Sequence, residues 1–331
     1  AGDEGIAEVA AANMGKVAAE LGEEGLVEAG LLADCLHSRL VVGDVAGGLA
    51  VIEESMARVL RLGDEPLRAT SLEHAACFLR DLGRPDEATA RLREAEQVRR
   101  RLGQDAELAD HLSVQASILI TRTEQWPEAR RLLAEARTIA LRLGRRRTEA
   151  TILEQSAALE MLAGDYRAAE LNLKAALQLR EELREPLGAL TVLVSLVALY
   201  ATRSQPDAAI AVGEPALVQA RELGTPKIAG DLASNLGIAY EMKLDYERAR
   251  EHYVTARDTA AKTGDVRVGM LAAANLANLA SRQGKLDEAE AAYRDTLERA
   301  YAAGDLGVVV RTLANLALIL TSRDRHQESA Q

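Results

Sequence analysis

Apolar residues in this chain fall at helical spacing, and the arrangement returns about every forty residues. Leu232, Leu236 and Tyr240 lie four apart, so they share one helix face, and Leu276 and Leu316 repeat the middle position. Small residues keep a second register. Gly48, Ala88, Ala129, Ala169, Ala209, Ala249 and Ala289 are spaced 40, 41, 40, 40, 40 and 40, and Ser329 falls where the next would stand. A third column, Gly22, Gly63, Gly103, Gly144, Arg184, Gly224, Gly264 and Gly304, closes each unit. Glycine there suits the left-handed residue that ends a helix. Prolines agree with this partition: Pro66, Pro186 and Pro226 open the first apolar segment of a unit, and Pro85, Pro127 and Pro206 the second. Proline is tolerated in an opening turn, where its missing N–H had no partner anyway. Only Pro215 falls inside an expected helix, where a bend is predicted.

The columns predict two helices per unit. First helices are expected at 25–41, 66–82, 106–122, 147–163, 187–203, 227–243, 267–283 and 307–322. Second helices are expected at 3–21, 44–62, 85–102, 126–143, 165–183, 206–223, 246–263 and 286–303. Each stripe is too weak to fold alone, so neighbours must stack to bury it. The expected fold is all-α, a right-handed α-solenoid superhelix of about eight helix pairs. Its boundaries are a half repeat at 1–24, units at 25–64, 65–104, 105–145, 146–185, 186–225, 226–265 and 266–305, and an incomplete unit at 306–331. The alanine column lets second helices approach closely. Trp126, Tyr166 and Tyr246 recur where second helices begin and read as packing wedges, and Cys35 falls in a core column.

Composition narrows the function classes. A chain of 331 residues exceeds what one core usually serves. Aromatic residues are 3 %, so anchors for stacking a ligand are scarce. The net charge of −11 is uneven: −8 over residues 1–80, +2 over 81–150 and −5 over the remainder. Arg99-Arg100-Arg101 and Arg145-Arg146-Arg147 therefore read as solvated faces and helix ends, and no direct nucleic-acid contact is expected. Arginine outnumbers lysine 34 to 6, as in GC-rich bacterial genomes. Two cysteines without ligand spacing, no apolar run of membrane-spanning length and the acidic opening "AGDEGIAEVA" make the cytoplasm the expected compartment.

Catalytic chemistry finds little support. "NMGKV" and "QGKLD" lack the upstream glycine and the following Ser/Thr of a phosphate loop, and neither a nucleophile elbow nor a His-Glu-x-x-His pair occurs. His37, His74 and His111 could gather across repeats, but no histidine pair has ligand spacing within one helix. No catalysis, metal or cofactor is expected.

"SNLGIAYEMKLDYERAREHYVTA" (234–256) resembles the tetratricopeptide repeat, with Leu236, Gly237, Tyr240, Ala249, Tyr253 and Ala256 at its recurring positions. "AANLANLASRQGKLDEAEAAYRDTLERA" and "RTLANLALIL" are similar to the longer repeats of kinesin light chains and to sensor regions of bacterial signal-transduction regulators. Gly48 and Gln125-Trp126-Pro127 depart from the pattern, which touches local geometry rather than architecture. The resemblance implies about eight tetratricopeptide-like pairs whose first helices line a concave wall that receives peptides or small ligands. Helical rotation then places one column on that wall: His37, Cys77, Ile118, Ala158, Ala198, Ile238, Asn278 and Leu318. A second column, Asn235, Asn275 and Asn315, continued upstream by Asp34, His74, Gln115, Gln155 and Ser195, has two readings. These side chains clamp a peptide backbone, or they tie one first helix to the next; the tie is favoured. Arg80, Arg122, Arg282 and Arg311 reach the same wall or are simply solvated.

The opening inside a second helix and the unfinished last unit lead us to expect a fragment of a larger protein. The expected function is a non-catalytic sensor region of a multidomain bacterial regulator, in signal transduction or transcription regulation. It binds a protein or peptide, or a small effector, and passes that state to attached domains. The alternative is a constitutive interaction or self-association scaffold. No membrane partner is expected.

Overall fold

The structure, a computed structural model, describes residues 45–329. The predicted helices at 3–21 and 25–41, with Cys35 and His37, lie outside the described residues. Fourteen α-helices follow one another, and no strand occurs among the described residues. They are α1 (Val45–Leu62), α2 (Glu65–Asp81), α3 (Pro85–Leu102), α4 (Asp105–Leu119), α5 (Trp126–Arg142), α6 (Arg146–Ala163) and α7 (Tyr166–Glu182). Then come α8 (Pro186–Thr202), α9 (Pro206–Glu222), α10 (Pro226–Met242), α11 (Tyr246–Thr263), α12 (Val266–Arg282), α13 (Leu286–Ala303) and α14 (Leu306–Ser329). From α2 on, even-numbered helices are the first of a pair and odd-numbered ones the second. The chain divides into two compact units, residues 1–159 and 160–331, with the division inside α6.

Helix ends lie within one residue of the sequence expectation, with two exceptions. Helix α14 runs on to Ser329 instead of stopping at 322. Helix α4 stops at Leu119 rather than at 122, and a 3-10 turn, Thr123–Gln125, follows it. This is the one unit of 41 residues, and the turn absorbs the extra residue. The Trp126 indole donates to the Ile120 carbonyl at 2.9 Å, satisfying an orphan acceptor of the last turn of α4. That bond fixes the early stop, and Trp126 packs on the core as a wedge.

Turn chemistry accounts for the other ends. The predicted closing column from Gly63 to Gly304 adopts positive φ throughout, including Arg184 at 55°. A sister column at the end of the first helices does the same except after α4, with Ser204 and Leu244 as its non-glycine members. Most of these reversals return a backbone N–H to a carbonyl five residues back, as Asp265 N to Ala260 O at 3.0 Å. Asp64, Asp165, Asp245, Asp265 and Asp305 then cap the next helix through their carboxylates, each cap being worth about 1 kcal/mol. Helix α9 runs unbroken through Pro215.

The alanine column does what its spacing implies. Ala88, Ala129, Ala169, Ala209, Ala249 and Ala289 are all 0 % exposed. At Gly48 even alanine would be too large: a Cβ would meet the Phe78 ring at 2.5 Å. The only phenylalanine of the chain fills the room left by that glycine. Gly237 makes the same allowance for the ring of Tyr253, also at 2.5 Å. Leu232, Leu236 and Tyr240 are buried as expected. Burial of each such leucine contributes roughly 1.5–3 kcal/mol.

Candidate functional site

The first helices are tied to one another by side chains, and the ties change character along the chain. In residues 1–159, Glu73 of α2 accepts from Arg99 Nε and Nη2 at 2.5 and 2.7 Å, and His111 Nδ1 of α4 lies 2.7 Å from the same carboxylate. Burial pushes the Glu73 carboxyl up, but the hydrogen bonds from His111 and Arg99 outweigh it and hold it below the usual carboxylate range. Ser113 of α4 donates to Gln155 of α6 at 2.5 Å. In residues 160–331, the Asn235 amide lies 3.5 Å from the Val194 carbonyl of α8, and Arg282 of α12 pairs with Glu241 of α10 at 2.8 Å. Asn315 of α14 donates to Asn278 of α12 at 2.9 Å. Members of the predicted asparagine column thus link successive first helices.

The α12–α14 tie leaves part of its hydrogen-bonding capacity unused. Asn278 Oδ1 accepts from both Asn315 Nδ2 and the Tyr293 hydroxyl. The two hydrogens on Asn278 Nδ2 and the Asn315 Oδ1 then have no partner among the described residues. A cavity of about 260 Å³ opens here, lined by Asn278, Arg282, Asn315 and Leu318 together with Ser281, Tyr293 and Ile319. Four residues predicted for the groove are thereby brought together. Leu318 is 67 % exposed, an apolar shelf beside the amides.

Two tyrosines of the second helices set the floor. Tyr253 and Tyr293 occupy the same position forty residues apart, and both rings are buried. Tyr253 donates to Glu241 Oε2 at 2.8 Å, while Glu241 Oε1 holds Arg282 Nε. Burial, reinforced by Glu241, raises both phenols, Tyr293 to about 12. They are therefore neutral donors at any ordinary pH. Arg282 remains 60 % exposed, with its outer guanidinium nitrogens free to meet a carboxylate or carbonyl.

The remaining predicted residues are scattered. Ile238 is half-buried and packs beside Tyr240, Tyr253 and Leu279. Asn275 is half-buried on α12, and Arg311 is exposed on α14. In the other unit Ile118 is 1 % exposed, locked in the core with Phe78 and Leu92, and cannot face a ligand there. Cys77 is half-buried. Arg80 pairs with Asp81, and Arg122 with Asp86 and Glu124. Tyr253 and Tyr293 were not among the sequence candidates. Their signal was present, a tyrosine recurring at one position of successive second helices. No group of three or more metal-ligating side chains occurs among the described residues, and no described helix is long and apolar enough to cross a membrane.

Residues 68–105 and 270–300 match the family model of the tetratricopeptide repeat. No curated protein matches the chain significantly. Among solved structures, the chain is similar to a signal-transduction ATPase with numerous domains carrying a tetratricopeptide repeat sensor, from Pyrococcus horikoshii. The TM-score is 0.63 and the identity 15 %, over 94 % of this chain and 50 % of that one, so this chain spans half of that protein. A Rap protein complexed with competence and sporulation factor aligns with TM-score 0.62 and 16 % identity, over 96 % and 93 % of the two chains. A tetratricopeptide repeat protein from Parabacteroides merdae aligns with TM-score 0.55 and 15 % identity, over 88 % and 99 %. These likenesses agree with the all-α stack of helix pairs.

Proposed function

We propose that this run of tetratricopeptide-like helix pairs is a non-catalytic binding module that takes an extended peptide segment of a partner protein on its first-helix face at α12 and α14. One observation carries the reading: Asn278 Oδ1 is saturated by two internal donors, leaving amide hydrogens and the Asn315 carbonyl oxygen beside a cavity. That pair, one donor and one acceptor, complements the C=O and N–H of a peptide backbone and reads no sequence. The exposed Arg282 adds a preference for a carboxylate, and the Leu318 shelf for an apolar side chain.

In this reading the chain serves as the sensor region of a cytoplasmic multidomain bacterial regulator, in signal transduction or transcription regulation. It passes occupancy of this face, by a peptide or a small effector, to attached domains. The solved neighbour with a repeat sensor supports the comparison at the level of fold. The test is a peptide array probed with the full chain and with Asn278→Ala, Asn315→Ala and Arg282→Glu. Selected peptides should lose at least about tenfold in affinity with each variant while each variant remains folded. Unchanged binding by all three, or concentration-dependent self-assembly with no peptide bound, would exclude this site.

A further inference from the structure

A second cavity opens on the other side of α12, between the second helices α11 and α13. It measures about 600 Å³, against about 350 Å³ for the corresponding cleft one repeat earlier, between α9 and α11. The earlier cleft is plugged by its own side chains. Tyr240 and His252 stack at 5.2 Å between ring centroids, and Glu214 accepts from the Tyr240 hydroxyl at 2.8 Å and lies 3.2 Å from His252 Nε2. Burial, despite the attraction of Glu214, holds His252 below the ordinary histidine range, so the plug packs as a neutral imidazole. Forty residues on, Tyr240 becomes Ala280, His252 becomes Ala292, Glu214 becomes Val254 and Arg221 becomes Ala261. Four large or charged groups have been replaced by small apolar ones at matching positions, and that substitution opens the cleft. Its floor is apolar, with Met270, Ala273 and Leu276 beside these alanines.

The walls differ in charge. Arg250 and Arg257 line the α11 side, and Glu288, Asp295 and Arg299 the α13 side, which keeps one net negative charge against two positive ones opposite. Arg257 is engaged by Asp258, and Asp295 by Arg299 at the far end, whereas Arg250 and Glu288 have no ion pair among the described residues. Lys285 sits at the α12–α13 turn. From Arg250 to Ala261 the cleft runs roughly 16 Å along the helix, the length of three helical turns.

We propose that this cleft docks an amphipathic α-helix of a partner protein. The helix is about three turns long and seats a large aromatic side chain over Ala280 and Ala292, with acidic residues toward α11 and basic ones toward α13. The occupant follows from the geometry: the preceding repeat shows that rings fill this floor, and the opposed walls fit a helix carrying one sign of charge on each flank of its apolar stripe. A single bound molecule on the first-helix face would leave this site untouched.

The test uses a fluorescein-labelled helical peptide of about four turns, with a Trp-Leu stripe, glutamates on one flank and lysines on the other. Its control, the exchanged peptide, keeps the same stripe but carries lysines on both flanks, so that docking end for end cannot restore the match. Fluorescence anisotropy with the full chain should show saturable binding, at least about tenfold tighter for the matched peptide. The plugging variant Ala280→Tyr/Ala292→His should lose at least about tenfold, whereas Asn278→Ala should bind as the parent does. Should the plugged variant fail to fold, Arg257→Glu replaces it, with weaker binding of the matched peptide and tighter binding of the exchanged one expected. Equal affinity for both peptides, undiminished binding to a folded plugged variant, or no saturable binding of either peptide would overturn the proposal.

Discussion

In residues 1–159 the first helices α2 and α4 meet through a buried ion, whereas in residues 160–331 α12 and α14 meet through neutral amides and a phenol. Arg99 is 5 % exposed and His111 1 %, and both converge on Glu73. A buried charge demands that its hydrogen-bonding capacity be met from within, because leaving it unpaired is costly. Such a tie locks two helices together and encloses its charge, with His111 Nε2 buried and without a hydrogen-bond partner among the described residues. The Asn278–Asn315 tie has no charge to neutralise and can leave donors open toward solvent. One kind of tie encloses its charge; the other leaves hydrogen-bonding groups open beside a cavity.

This contrast can be broken by experiment. The largest effect is expected for Glu73→Ala, which strands Arg99 without its carboxylate. A loss of about 3–5 kcal/mol, seen as faster hydrogen exchange in α2 to α4, is expected. Exchange rising equally in α10 to α13 would mean that the units are not energetically separate. Next comes Gly237→Ala, whose Cβ would collide with the Tyr253 ring. Overpacking of about 1–3 kcal/mol should appear in α10 and α11, and a neutral result would show that the tyrosine floor yields easily.

Titration should separate the units by direction. Glu73 is held below the ordinary carboxylate range when folded, so its contribution is complete above that range and lost as pH falls through its depressed value. Tyr293 is raised from 10.0 to about 12, so its contribution is complete below pH 10.0 and lost as pH rises toward 12. Hydrogen exchange should therefore report acid loosening around Glu73 and alkaline loosening around Tyr293. The reverse order would contradict both environments. The smallest effect belongs to Leu244→Gly. Leu244 holds φ at 60° with its side chain 67 % exposed, and glycine there should stabilise by about 0.5–1 kcal/mol, read as a higher midpoint in urea.

Most of the fold was legible because its signals are local. An alanine that must be small, a glycine that must be left-handed and a proline that must open a helix each act over a few residues, and together they place the helix ends. The early stop of α4 was not legible, since it depends on an indole reaching back to Ile120. Helical rotation accounts for one grouping: Asn278, Arg282, Asn315 and Leu318, expected on one wall, share a cavity. Rotation failed at Ile118, because the glycine at 48 draws Phe78 inward and the surrounding core closes over that column. It also passed over Tyr253 and Tyr293, whose buried rings carry hydroxyls that bond Glu241 and Asn278. The open cleft at α12 is harder still to foresee, for its signal is the loss of bulk between one repeat and the next.

The 3-10 turn at Thr123–Gln125 carries a lesson about length. One surplus residue enters there, yet Ala129 beyond it is as deeply buried as Ala88 before it. The junction works as an expansion joint: slack is taken up locally, and the phase of everything downstream survives. A loop grafted at this point should leave the following helices in step, which makes it a natural seam for joining new sequence to the array.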